Sequence, residues 1–167
     1  NRLYTNGWKG LEVGKARYGL MLREDGLVWD DGTTSRLSES RYLMTTTTGN
    51  AGPVLSHLEY YLQVVWPELR VKVVSVTEEW AAMALAGPKV REVLAKVAPG
   101  LDVANQALPF MGLARAEVAG VPARIFRISF SGELSYEINV GADYGTAVWQ
   151  AILAAGEPQA IIAYGTE

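Results

Sequence analysis

With 167 residues, 49% of them hydrophobic, the chain carries enough apolar material for a sizeable core, and its net charge of −3 leaves no basic surplus to neutralise phosphates, so nucleic acid has no electrostatic support as a partner. The absence of cysteine and the single histidine, His57, exclude disulfides, thiolate chemistry, Cys-type zinc or iron–sulfur centres and a His-rich metal site; no metal is expected. No apolar run reaches membrane-spanning length and no charged-then-apolar leader opens the chain, so a soluble, cytoplasmic protein without membrane contact is the expectation.

The chain starts at Asn1 without an initiator Met and stops at Glu167 directly after an apolar run. A fragment of a longer protein is therefore expected, whose site lacks some of its walls. The first clear element is a strand over Arg17–Arg23, closed by Glu24-Asp25-Gly26 as a hairpin turn and answered by a strand from Leu27 to Thr34. Strand alternation puts Leu27, Trp29, Asp31 and Thr33 on one face and turns Asp30 to the other. A carboxylate in line with Trp29 is expected to be partly desolvated and suited to proton transfer or to holding a cation; a turn-proximal Asp pair facing water is the alternative.

A β-rich run spans 41–48. Asn50 then reads as a helix cap, Pro53 as a first-turn residue, and Val54, Leu55, Leu58, Tyr61, Leu62 and Val65 as a helical stripe ending at Trp66-Pro67. His57 lies beside that stripe and has a structural role, with no second ligand or nucleophile near it in sequence. Residues 69–77 and 80–86 read as a strand pair. Gly87-Pro88 opens a second helix striped by Val90, Val93, Leu94 and Val97 and stopped by Pro99-Gly100. Residues 105–111 form a loop anchored by Phe110, followed by strands over 113–119 and 121–130 hinged at Gly120. A last helix capped by Asp143 runs to Gly156, and 160–163 forms a short strand. The order gives an α+β fold: antiparallel sheets with helices packed on one side, in strand–helix–strand units like ferredoxin-like modules.

The stretch from Arg127 to Val140 carries most of the chemistry. Ser131-Gly132 reads as a turn, Leu134, Tyr136, Ile138 and Val140 face the core, and Glu133, Ser135, Glu137 and Asn139 face outward. That polar face also fits a plain solvated strand. No phosphate loop, dinucleotide fingerprint or nucleophile elbow is present. What remains is carboxylates beside aromatics, Asp31 with Trp29 and Glu137 with Tyr136 and Phe130. Such sites suit a flat heteroaromatic ligand whose adjacent N–H donors meet a carboxylate.

The run from Ser131 to Ile138 resembles the glycine-cleavage T-protein (aminomethyltransferase) signature, a Tyr-x-Gly-Glu turn followed four residues after its Glu by a second Glu. The hairpin Gly26 to Asp31 resembles the one that ends in that family's functional aspartate. Over essentially the whole length, through Tyr18 to Gly26, Asp30 to Leu37 and Thr45 to Pro53, the chain is more closely similar to the folate-binding region of heterotetrameric sarcosine oxidase α subunits.

The resemblance implies that residues 1–167 are part of a folate-binding, aminomethyltransferase-like domain, with an N-terminal part and a C-terminal β-barrel of the full protein lying outside them. It implies a tetrahydrofolate site in which Glu137 grips the pterin edge and Asp31 acts near the reacting nitrogens. Thr33, Tyr136, Asp30 and Phe130 are the implied binding neighbours, Phe130 standing where relatives often carry Tyr and so lacking its hydroxyl. The family also uses an arginine shortly beyond Glu167. In the implied complex, flavin on partner subunits oxidises sarcosine, and tetrahydrofolate captures the one-carbon unit as 5,10-methylenetetrahydrofolate, with glycine and hydrogen peroxide as the other products. FAD, FMN and NAD would lie outside this chain, and the partners would be the β, γ and δ subunits. Two alternatives remain: a glycine-cleavage aminomethyltransferase, dependent on a lipoyl carrier, and a folate-fold scaffold that binds no folate.

Overall fold

A computed structural model describes residues 2–165. The chain forms two compact units, one up to Thr77 and one from Glu78 onward. Both are built as the α+β reading anticipates, from antiparallel strands and short helices, and no helix among the described residues is long and apolar enough to cross a membrane.

The first unit holds a three-stranded sheet in the order β1 (Ala16–Leu22), β2 (Val28–Arg36), β3 (Tyr42–Met44). The expected hairpin is present, turning at Gly26 with φ 84°, a left-handed conformation that glycine adopts without a Cβ clash. Its register pairs Leu20 with Asp31 and Met21 with Asp30, then shifts between Met21 and Leu22. The strand expected over 41–48 is only three residues long, because the chain then crosses over β2: a Cβ on Gly32 would collide with the Thr45 carbonyl oxygen. A Cβ on Gly19 would strike the Trp8 ring, so the paired Gly19 and Gly32 make room for covering segments on both strands.

Helix α1 (Ala51–Tyr60) follows, with Val54 buried, and gives way to a π-type turn at Tyr61–Val65 where one continuous helix was expected. The stretch 69–77 forms no strand, and its Val71 and Val74 are exposed. The valine-rich pattern misleads because the partner assigned to it is taken elsewhere.

That partner, β4 (Trp80–Ala86), pairs with β7 (Ser135–Gly141) in the second unit, in a sheet ordered β4-β7-β6-β5 and antiparallel throughout. Strands β5 (Leu113–Val118) and β6 (Val121–Phe126) meet through Ala119 and Gly120, both at positive φ (50° and 78°), the two-residue turn whose twist matches that of the strands. Strand β6 ends at Phe126, so β6 and β7 are joined by a loop over 127–134 instead of the tight turn expected at Ser131-Gly132.

Helices α2 (Val90–Val97) and α3 (Gly145–Gly156) pack together over one face of this sheet. The α2 stripe is as the spacing requires, Val90, Val93, Leu94 and Val97 all buried, meeting Leu85, Ile125, Tyr136, Ile138, Val140 and α3's Val148 and Ile152. Three local expectations fail. Asp143 sits in a 3-10 turn and makes no capping bond to α3; Leu108, not the exposed Phe110, is the loop's anchor; and 160–163 forms no strand, Ala160 taking a left-handed turn.

Candidate functional site

The two aspartates of β2 lead different lives because strand alternation sends them to opposite faces, and the segment from Thr45 to Asn50 closes over the face of Asp30. Asp30 points under the crossing segment and is 2% exposed. Its Oδ1 accepts hydrogen bonds from the Thr47 backbone N–H (3.3 Å) and the Asn50 side-chain amide (3.2 Å), while its Oδ2 is buried with no partner among the described residues. Asn50 thus occupies the expected cap position but sends its amide to Asp30 and to the Trp29 carbonyl (3.1 Å), making no cap bond.

Asp31 is on the open face, half-buried, in line with Trp29 and Thr33 as strand alternation requires. Its Oδ2 accepts the hydroxyl of Tyr18 at 2.7 Å. That hydrogen bond holds the Tyr18 hydroxyl's pKa above its ordinary value, with burial and the Asp31 charge adding to it. Thr33 is less available: its hydroxyl lies 3.0 Å from the Thr45 hydroxyl, which also receives the Thr33 backbone N–H. Tyr4 packs nearby, its hydroxyl donating to Met44 Sδ (3.1 Å); burial, with the charges of Asp30 and Asp31 adding, pushes its pKa up to about 12. His57 stands edge-on to Trp29 (4.2 Å) and Tyr61 (4.7 Å), and burial lowers its pKa, which suits the aromatic packing role expected of it.

In the second unit Glu137 lies on the sheet face opposite the helices. Its register neighbours are Ala84 on β4 and Phe126 on β6, a small side chain and a buried ring. Burial raises the Glu137 pKa, and no described residue gives its carboxylate a hydrogen bond or ion pair. The same face carries Arg124 stacked over the Trp80 ring at 3.8 Å. A partly desolvated carboxylate beside apolar and aromatic surface can take a pair of N–H donors from a planar ligand.

The structure therefore groups Asp31 with Trp29 and Thr33, but not Glu137 with Tyr136 or Phe130. Tyr136 is fully buried in the opposite, helix-covered face, where its hydroxyl meets Arg91 Nε (3.1 Å) and the Val103 carbonyl (3.4 Å). Period-two alternation that sends Glu137 out sends Tyr136 in. Phe130 projects from the 127–134 loop, 93% exposed. Asp30 is sealed. Sequence reasoning missed Tyr18, Asn50 and Thr47; only Tyr18 left a signal, since a fixed hairpin register makes it the diagonal neighbour of Asp31.

The GCVT N-terminal domain family model matches residues 1–167. The chain is 51% identical over 169 residues to the sarcosine oxidase subunit alpha of Rhizobium meliloti (strain 1021) and 53% identical over 168 residues to that of Corynebacterium sp. (strain P-1), covering all of this chain but only 17% of either relative. It is 33% identical to an aminomethyltransferase of Symbiobacterium thermophilum, over 96% of this chain and 43% of that protein. The crystal structure of the glycine cleavage system aminomethyltransferase T from Bartonella henselae superposes with a TM-score of 0.71 at 27% identity, over 86% of this chain and 36% of the other. A heterotetrameric sarcosine oxidase from Corynebacterium sp. U-96 superposes with a TM-score of 0.65 at 16% identity, over 93% and 70%, a likeness of fold.

Proposed function

The chain belongs to the GCVT N-terminal domain family, and from that premise we propose that it is the tetrahydrofolate-binding part of a sarcosine oxidase α subunit. The observation that carries the reading is Glu137: a carboxylate whose pKa is raised by burial, flanked by Ala84 and Phe126 and engaged by no described residue. Such a group is shaped to accept the adjacent N–H donors of a pterin edge. Identity above 50% to two α subunits across the whole chain supports this branch of the family over the transferases of Symbiobacterium thermophilum and Streptomyces coelicolor, which match at 33% and 32%.

Tetrahydrofolate, when bound, supplies the two nitrogens that take up a one-carbon unit as 5,10-methylenetetrahydrofolate. The residues of the second unit fit the pterin edge of that ligand, since Glu137 offers a carboxylate without a described partner beside Ala84 and Phe126. Asp31 has the role of steering or deprotonating an attacking amine and of stabilising positive charge there. Asp30 takes no part in this, because its carboxylate holds the Thr47–Asn50 segment. In the whole cytoplasmic enzyme, oxidation of sarcosine to glycine with release of hydrogen peroxide belongs to flavin on partner subunits among β, γ and δ, and FAD, FMN and NAD all lie outside this chain.

Calorimetric titration with 5-formyltetrahydrofolate, beside Glu137→Gln, tests the reading. Saturable binding that Glu137→Gln abolishes is expected; binding that the variant leaves untouched refutes the role of Glu137. Absence of binding in the full-length protein favours a scaffold. A second reading, a glycine-cleavage aminomethyltransferase, draws on the superposition with the Bartonella protein and predicts turnover that depends on a lipoyl carrier protein instead of flavin subunits.

A further inference from the structure

We propose that Tyr18 is a positioning residue for Asp31, fixing which of its two carboxylate oxygens is presented on the open face of the first unit's sheet; this rests on the folate reading given above. Tyr18 and Asp31 are not register partners. Tyr18 pairs with Thr33 and Leu20 with Asp31, so the Tyr18 ring reaches diagonally across β1 and β2 to bring its hydroxyl 2.7 Å from Oδ2. That separation is in the short range of O–H···O⁻ bonds to an ionised acceptor.

A carboxylate on a strand face turns easily about its last torsion, which is broad and two-fold. The contact removes that freedom. Oδ2 is engaged by Tyr18, Oδ1 has no partner among the described residues, and the carboxylate therefore offers one defined oxygen with its lone pairs open. Neighbouring polar groups are otherwise engaged: the Thr33 hydroxyl meets that of Thr45, Asp30 accepts from Thr47, and Tyr4 donates to Met44. Tyr18 itself is 45% exposed, more than a ring placed there for core packing would be. Its raised pKa agrees with a hydroxyl that keeps its proton and donates a hydrogen bond to Asp31.

The test uses the full-length protein in its native assembly, as wild type, Tyr18→Phe, Asp31→Asn and the double variant. Tyr18→Phe keeps the ring and removes the donor. The expected result is a fall of about tenfold in kcat for 5,10-methylenetetrahydrofolate formation, the order of one lost charge-assisted hydrogen bond, with the affinity for 5-formyltetrahydrofolate unchanged within about twofold and no additional loss when Tyr18→Phe is added to Asp31→Asn. A weakened affinity at unchanged kcat, or losses that multiply in the double variant, overturns the positioning role. A readout independent of folate comes from 3-fluorotyrosine installed at position 18 and titrated by fluorine NMR. Its phenol is expected to ionise at lower pH once Asp31→Asn is introduced, and an unmoved titration overturns the contact itself. Wild-type protein that forms no methylenetetrahydrofolate, while position 18 still responds to Asp31→Asn, overturns the folate reading and the purpose assigned to the contact, and that response tells the two failures apart.

Discussion

Replacing Asn50 separates two explanations of why an Asn precedes α1. A capping role would make Ser an adequate substitute, since Asn, Asp and Ser cap about equally well. In the structure Asn50 instead ties the crossing segment down, its amide donating to the buried Asp30 carboxylate at 3.2 Å and to the Trp29 carbonyl at 3.1 Å. A hydrogen bond to a charged group contributes about 1.5–3 kcal/mol and a neutral one about 1 kcal/mol, so Asn50→Ala is expected to cost roughly 2–4 kcal/mol. The loss falls near the upper end if no water replaces the amide, because Oδ2 of Asp30 is already without a partner and the Thr47 N–H at 3.3 Å would be the last donor left among the described residues. Urea unfolding at constant m-value measures it, and the discriminating variant is Asn50→Ser. Asn50→Ser is expected to lose nearly as much as Asn50→Ala, because a hydroxyl one bond shorter does not reach both acceptors. Adding Asp30→Asn should shrink the effect of Asn50→Ala by at least about 1 kcal/mol, the coupling expected of contacting residues. An Asn50→Ser variant within about 0.5 kcal/mol of wild type would restore the capping explanation and refute this one.

Glu137 makes a pH-dependent prediction. Its folded-state pKa is raised from 4.5 by burial, so the folded form disfavours the charge, and stability is lost as pH rises through the raised value. Glu137→Gln should therefore gain stability over wild type at about pH 7 but not at about pH 4, read as the difference in urea midpoints. Tyr136→Phe keeps the ring in the core and removes the hydroxyl that bridges Arg91 and Val103; a cost of about 1–2 kcal/mol by the same assay is expected. Leu94→Ala, at a fully buried position between α2 and the sheet, should cost about 2–5 kcal/mol. Gly32→Ala should destabilise by about 1–3 kcal/mol or more, because its Cβ meets the Thr45 backbone and not a side chain that can move aside.

Periodicity was a good guide wherever neighbours in sequence are also neighbours in space. The 17–34 hairpin, the α2 stripe and the inward set of β7 all follow from local spacing, and the open position of Asp31 follows with them. Two of the misreadings share one cause, a partner chosen by proximity in sequence. Residues 69–77 carry β-branched side chains in a strand-like pattern, yet β4 pairs with β7, and nothing local announces that choice. Asp30 was unreadable for the same reason: its burial depends on the chain crossing β2 at Gly32, a contact between strands whose only trace in sequence is a glycine. Phe110 shows the limit of treating an aromatic as a loop anchor, since it lies exposed while Leu108 is buried.

The pairing of β4 with β7 also bears on how the chain is made. Ala86 meets Ser135, so β4 leaves the ribosome about fifty residues before its partner, an interval of roughly 2.5–10 s at ordinary elongation rates. During that time the β5–β6 hairpin can close through Ala119-Gly120, but β4 has no strand to join, and its Leu85 and Met83 lack the cover that the finished sheet provides. Nascent protein at this stage carries an unpaired apolar strand that a holding chaperone would recognise, and the second unit acquires its cooperative stability only once β7 has been translated.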